Sequence, residues 1–299
     1  MILDGVQAVT HGSPLAFINL ISSVTPTLDR QSIIIESEKA HDALFGQVAH
    51  SIGSQFARLK FIIADADDDQ GKVVVLLEEL CKATAHWGAF CVMCELEANS
   101  PLFEAFRRVD FNVWAKQYIW QILPQICTKK PVASAWRLWN SSDIKAMRAL
   151  HQSLVPKLFH NLEPMTRRNM LGLVHMDSKN SLTAYVDLVY GPKGIWALPI
   201  IHPDCADDPQ IICDMLAALP TPGRRKVSIC VRSYQPWLEH LLEQLDAERS
   251  PEQVLMVKYL ALRQKVNASL ELAELKNGRA ETGLPVAHIE KNLTPPHLP

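Results

Sequence analysis

The same order of predicted elements occurs twice in this chain of 299 residues, at an offset of about 137 residues. In each half, a strand leads into an acidic loop, a helix, a second strand, a second helix and a third strand. Hydrophobic periodicity predicts the strands at residues 59–64, 90–96 and 112–122, then 195–201, 227–231 and 254–262. It predicts the main helices at residues 72–86, 143–154, 210–219 and 236–247. A repeat of this order favours two similar α+β domains.

A short polar segment that ends at Pro131 separates the two repeats. We therefore predict an N-terminal domain at residues 1–128 and a C-terminal domain at residues 131–266. Before its acidic loop the first domain has strand-like runs at residues 15–20, 31–36 and 43–50 and lacks the helix that opens the second domain. Residues 267–299 are polar and proline-rich, which predicts a disordered tail.

The composition narrows the class of protein. A net charge of −2 and a pI near 6.6 give no electrostatic reason to expect nucleic acid or an anionic membrane as a partner. No apolar run approaches the ~20 residues of a membrane-spanning helix, and the first residues lack the layout of a signal peptide. Seven cysteines without framework spacing are typical of a reducing compartment. The expected location is the cytoplasm.

One segment of the first half resembles a known family. It starts at Asn99, ends at Phe111 and lies between two predicted strands, with Leu102, Phe106 and Asp110 inside it. The segment is similar to the Asn-x-x-Ala-x-x-x-Tyr-x-x-x-Gly-Phe pattern of the Gcn5-related N-acetyltransferases (GNAT). The resemblance implies two tandem acyl-CoA N-acyltransferase-like domains of the α+β class, each a mixed, mostly antiparallel sheet flanked by helices.

The resemblance also implies a site for acetyl-CoA. In GNAT enzymes, backbone amides between the central strand and the next helix hold the pyrophosphate, which requires glycines and a positive local field. The matching loop here keeps one glycine and has four aspartates close before it. The cofactor-binding residues that the resemblance implies are Ile62, Ile63, Gln70, Gly71, Lys72 and Asn99. The corresponding loop of the second half has two acids and no glycine, which argues against a second cofactor site.

Acetyl transfer to an amine needs a base for the ammonium and an acid for the leaving thiolate. Asp65, at the end of the central strand, is the candidate base, although a helix-capping role is the simpler interpretation. The resemblance puts the acid at Phe106, which cannot donate a proton. Tyr234 in the second half is the other candidate acid, and a packing role is its simpler interpretation.

Two functions remain open. The first is an acyltransferase that moves an acetyl group from acetyl-CoA to a primary amine of a small molecule or a protein. The second is a catalytically inactive GNAT-fold module that binds a ligand or a protein partner. The two differ in the opening between the central strands of each domain, at residues 61–63 and 90–92 in the first. An empty slot as wide as a pantetheine chain favours the enzyme, and a filled slot favours the module.

Overall fold

The computed structural model describes residues 1–12, 30–36, 44–51, 54–63, 70–123, 135–160, 162, 171–205, 208–220 and 225–260, with the backbone alone for residues 30–36. All of them lie in one compact unit, residues 1–262. The strands are β1 Arg30–Glu36, β2 Phe45–Ser51, β3 Phe56–Ile63, β4 Cys91–Glu97, β5 Asn112–Ile122, β6 Trp136–Leu138, β7 Leu171–Met176, β8 Leu182–Tyr190, β9 Gly194–Ile201, β10 Lys226–Arg232, β11 Glu248–Arg249 and β12 Gln253–Tyr259. The helices are α1 Gly5–His11, α2 Gln70–His86, α3 Phe103–Arg108, α4 Ile144–Leu154, α5 Gln210–Ala217 and α6 Trp237–Gln244.

Local sequence explains the main elements. In α2, apolar residues recur on one helical face and are buried, among them Leu76, Leu77 and Leu80. The helix ends before Gly88, whose φ of +82° favours glycine. All eight residues of β9 are buried, as expected for a central strand with both faces covered.

The strands form a single sheet in the order β1-β2-β3-β4-β12-β5-β10-β9-β8-β7-β6, and β11 also pairs with β5. The two halves exchange strands at its centre. The last described strand of the second half, β12, pairs antiparallel with β4 and β5 of the first half. In turn, β5 pairs antiparallel with β10 of the second half. Each half therefore completes its sheet with a strand of the other.

Helices cover both faces of this sheet. Residues of β4 that alternate along the strand belong to two different clusters, since Val92 packs with α2 and Met93 packs with α4. Helices α5 and α6 cover the second half on the α2 side. Helix α1 covers a fourth cluster, which contains Ile119, Trp196, Leu198 and Cys230. The short α1 thus belongs to the first half by sequence and packs against strands of the second half.

The sequence predicted the class of fold and most elements. The α+β architecture with a mostly antiparallel sheet is confirmed, and the predicted bounds of β5 are the observed ones. Helix α1 was not predicted. The predicted strand at residues 15–20, the segment that ends at Pro131 and the tail lie outside the described residues. The division into two domains therefore stays a prediction.

Candidate functional site

Two clefts in the sheet mark the candidate site. Each lies between two neighbouring parallel strands, and the described strands pair in parallel only at these two places. Strands β3 and β4 pair from Phe56 and Cys91 to Arg58 and Met93 and then separate. We call this opening the first cleft. The sequence predicted it between residues 61–63 and 90–92; the two strands are the expected ones, but Cys91 and Val92 still pair with β3 and the opening begins after Met93.

Residues 1–12, here called the arm, fill the first cleft with their first residues. Ile2 forms an antiparallel bridge with Phe61 of β3. On that side the Leu3 amide donates to the Lys60 carbonyl at 2.9 Å, and the Ile62 amide donates to the Met1 carbonyl at 3.0 Å. On the other side the Glu95 amide of β4 donates to the Leu3 carbonyl at 2.9 Å. The arm thus acts as a short additional strand and satisfies backbone groups of both separated strands.

The side chains of the arm are also bound in the cleft. Leu3 is 1% exposed and belongs to the core cluster under α2. Asp4 is buried, forms an ion pair with Lys60 and accepts a hydrogen bond from the Gln7 amide, which caps α1. Burial raises the pKa of Asp4, but the charges of Lys60 and Arg58 and the hydrogen bonds outweigh it and lower that pKa to about 2. Asp4 is therefore a carboxylate at neutral pH.

A second buried carboxylate lies beside Asp4. Glu95 of β4 accepts a hydrogen bond from the Gly5 amide at 2.7 Å. Its other oxygen is 3.8 Å from Arg58 of β3 and 4.0 Å from Arg232 of β10. A Cβ atom on Gly5 would lie 2.5 Å from a carboxylate oxygen of Glu95, so a larger residue would force that side chain to shift. Glu95 thus connects the arm, the first half and the second half.

Helix α1 continues from the cleft onto the second half. The Lys193 amide donates to the Thr10 carbonyl at 3.1 Å. A Cβ atom on Gly191 would lie 2.2 Å from that same carbonyl oxygen, and one on Gly194 would lie 2.9 Å from the Val9 carbonyl. These two glycines allow α1 to lie directly on the turn between β8 and β9.

The second cleft lies between β9 and β10 and is also filled. The strands pair from Gly194 and Lys226 to Ala197 and Ile229 and then separate. Gln235 is fully buried there: its side-chain amide donates to the Pro199 carbonyl at 3.0 Å and accepts from the Ile201 amide at 3.2 Å. One side chain thus forms the hydrogen bonds that a neighbouring strand would otherwise supply.

The structure places the predicted cofactor-binding residues at the edge of the first cleft. Ile62 is buried, and its backbone is bonded to Met1. Gly71 and Lys72 lie half-buried in the first turn of α2, where Gln70 donates to the Pro101 carbonyl at 3.3 Å. The remaining two are Ile63, half-buried at the end of β3, and Asn99, exposed in the turn before α3. The second helix of the repeated order in the first half, α3, begins at Phe103, four residues after Asn99.

Of the predicted acid and base, the structure describes only the acid positions. Phe106, at the position of the family's acid, is fully buried and packs edge-on against Phe111. Tyr234 is half-buried in the second half, with its ring 5.6 Å from that of Phe159. Asp65 lies outside the described residues, as do the other three aspartates of its loop.

Several solved structures have an architecture similar to that of this chain. A tandem GNAT protein from the clavulanic acid biosynthesis pathway matches with a TM-score of 0.52 at 11% identity, over 87% of this chain and 94% of that one. A GCN5-related N-acetyltransferase from Sphaerobacter thermophilus matches with a TM-score of 0.53 at 12% identity, over 80% and 84% of the two chains. Another from Kribbella flavida matches with a TM-score of 0.50 at 11% identity, over 81% and 93%.

The chain has the GNAT fold. The likeness to a tandem GNAT protein extends over most of both chains, which confirms the fold predicted from the segment between Asn99 and Phe111. At 11–12% identity the comparison concerns the GNAT fold and not the chemistry. No family model matches the sequence. No curated protein matches it either.

Sequence reasoning missed the residues that close both clefts. Asp4 directly before Gly5 is a capping signal that could have predicted α1. Glu95 lies inside an apolar strand, which is itself a signal, because a lone acid there needs a buried partner. Gln235 lies in a turn between β10 and α6 and gives no signal that we can identify.

Two further observations concern membrane-spanning helices and the state of the cysteines. Among the described residues, no helix combines the length and the apolar character needed to cross a membrane. The described free cysteines are Cys81, Cys91, Cys94, Cys205 and Cys230. Cys213 takes part in a disulfide bond, which was not expected from the sequence.

Proposed function

We propose that this protein is a catalytically inactive GNAT-fold module that binds a protein partner. The observation that carries the proposal is the first cleft, where residues of the arm occupy the space between β3 and β4. A pantetheine chain between these two strands would require the same space. The buried Phe106 at the expected acid position supports the same function.

The second cleft supports this function independently. Gln235 bonds both Pro199 and Ile201 of β9 there, and the adjoining loop sequence lacks glycine. Because the two clefts are closed by different means, one backbone and one side chain, a single displacement would not open both.

A second candidate function is acetyl transfer from acetyl-CoA to a primary amine of a small molecule or a protein. It is favoured by the solved structures of this fold that are named as N-acetyltransferases. It is also favoured by Gly71, which keeps one glycine at the first turn of α2. This function requires the arm to leave the first cleft.

Calorimetric titration of acetyl-CoA into the full-length protein tests the proposal, with Gly71→Asp as the matched variant. We expect no binding heat with either protein at high protein concentration. Micromolar binding that is lost in Gly71→Asp would contradict the proposal and favour the acetyltransferase. Micromolar binding that survives Gly71→Asp would also contradict the proposal, and would indicate that acetyl-CoA binds away from the first turn of α2.

We also propose a cytoplasmic location. The described free cysteines support it, and the disulfide bond at Cys213 is the observation against it. Unfolding the protein directly in excess alkylating agent and counting the alkylated cysteines by mass spectrometry tests this point, since all seven cysteines should be alkylated in a reducing compartment.

A further inference from the structure

We infer that the first cleft is a receptor for an extended peptide, in which a segment of a partner protein can replace the arm. That segment would present an apolar residue followed directly by a carboxylate. This inference rests on the proposed function, a protein-binding module, and names the chemistry of its partner.

The backbone of the cleft requires an extended occupant. Without the arm, the carbonyl of Lys60, both backbone groups of Ile62 and the amide of Glu95 would lose their partners. Buried backbone groups are nearly always paired, so an empty cleft is unfavourable. Any peptide in an extended conformation restores these bonds, because backbone pairing does not depend on sequence.

Two side-chain positions make the cleft selective. The position of Leu3 lies in the core cluster under α2 and favours an apolar side chain. The next position, that of Asp4, lies between Lys60 and Arg58. A neutral or basic residue there would leave Lys60 without its carboxylate partner and would weaken the attraction to Arg58, which also pairs with Glu95. An apolar residue followed by Asp or Glu is therefore the pattern that the cleft recognises.

The arm itself can be exchanged without unfolding the sheet. Its strand consists of one bridge, Ile2 with Phe61, whereas neighbouring strands along the described sheet order pair over at least three residues. The buried side chains of the arm are those of Leu3, Asp4 and Thr10, whereas Met1 is exposed and Ile2, Val6 and Val9 are half-buried. A short segment held by one bridge and three buried side chains opens at a lower free energy than the core strands.

Charge reversal at Asp4 provides the test. In the full-length Asp4→Lys variant, Lys60 and Arg58 repel the substituted side chain, so the arm leaves the cleft. The probe is a fluorescently labelled synthetic peptide of residues 1–12, followed by anisotropy. We expect it to bind Asp4→Lys at least tenfold more tightly than the wild type, in which the arm competes. A peptide that carries Asp4→Lys itself is the matched control and should not bind.

A second substitution restores the closed cleft. Adding Lys60→Glu to the Asp4→Lys chain pairs the arm again with opposite charges, so the affinity for the wild-type peptide should return to the wild-type level. If Asp4→Lys does not fold, as judged by circular dichroism, the milder Leu3→Ala takes its place. The wild-type peptide should then raise the melting temperature of Leu3→Ala by several degrees, and the Asp4→Lys peptide should not.

Three results would overturn the inference. The first is a folded Asp4→Lys protein that does not bind the peptide, and the second is equal binding of the wild-type and control peptides. The third is a wild-type dimer that the peptide disperses, because the occupant would then be the arm of a second copy.

Acetyl-CoA titrated into Asp4→Lys separates this inference from the proposed function. If acetyl-CoA binds there and the peptide does not, the binding-module function fails together with the inference. If neither binds, only the inference fails.

Discussion

Glu95 of β4 and Arg232 of β10 lie 4.0 Å apart, with side chains that are 4% and 3% exposed. They come from different halves of the chain, and the strands β12 and β5 separate them in the sheet. Arg58 and the Gly5 amide bind the same carboxylate. One buried acid therefore links the arm and both halves across the exchanged strands.

Replacing that acid should strongly destabilise the protein. Glu95→Ala leaves Arg58, Arg232 and the Gly5 amide without their carboxylate, and breaking a buried charged pair in this way costs roughly 3–5 kcal/mol. Urea denaturation measures the free energy of unfolding. The control is Glu79→Ala, which removes an exposed pair with Lys82 and should change the stability by less than about 1 kcal/mol. Equal effects of the two substitutions would contradict the buried junction.

Asp4 should make the stability depend on pH in the acid range. Its pKa is lowered from 3.8 to about 2 in the folded chain. Its carboxylate therefore stabilises the folded state above the unfolded pKa, and this contribution is lost as the pH falls towards the folded pKa. At ~1.4 kcal/mol per pKa unit, it amounts to about 2–3 kcal/mol.

The Asp4→Asn variant isolates this contribution. The difference in unfolding free energy between wild type and Asp4→Asn should be constant above about pH 5 and should shrink as the pH falls towards 2. Urea denaturation series at several pH values measure it. A difference that is the same at pH 3 and at pH 7 would show that Asp4 does not hold its charge in this way.

Gln235 should be essential for the second half. Gln235→Leu has a similar volume but leaves the Pro199 carbonyl and the Ile201 amide unpaired in a buried cleft, at a cost of roughly 1–3 kcal/mol for each group. Denaturation in urea measures the loss. Gln244→Leu, at an exposed glutamine that contacts His240, is the matched control and should remain close to the wild type.

A methyl group on Gly191 should displace α1. The added Cβ atom would lie 2.2 Å from the Thr10 carbonyl oxygen, and such overpacking costs roughly 1–3 kcal/mol. Limited proteolysis should then cleave within residues 1–12 faster than in the wild type. Gly88→Ala is the control: no atom lies near its added Cβ, so only its positive φ is strained. It should lower stability without exposing the arm.

The local hydrophobic pattern was enough to predict the helices and strands. Periods of 3.6 and two residues predicted the bounds of α2, α4, β5 and β9 to within a few residues. Local sequence also gave the fold, because the segment from Asn99 to Phe111 has a family pattern. It could not give the occupants of the clefts. Met1 meets Ile62 and Glu95 meets Gly5 across distances of about 60 and 90 residues in sequence, and no periodicity encodes contacts of that kind.

The same limit applies to the candidate chemistry. Phe106 was correctly judged unable to donate a proton, because that property belongs to the residue itself. The spatial relation of Tyr234 to the first half depends on the exchange of β5 and β12, which the repeat in the sequence does not reveal. The sequence shows Glu95 as an acid within an apolar strand, which indicates a buried charge. It does not show which residues pair with that charge.

The exchanged strand has a consequence for synthesis. Met256 of β12 pairs with Cys94 of β4. Strand β4 therefore pairs with β12 only after residues 95–256 have been synthesised. Until then β4 and β5 present open edges, and pairing over such long sequence separations is slow. The nascent N-terminal half is therefore the stage at which these strand edges stay open the longest.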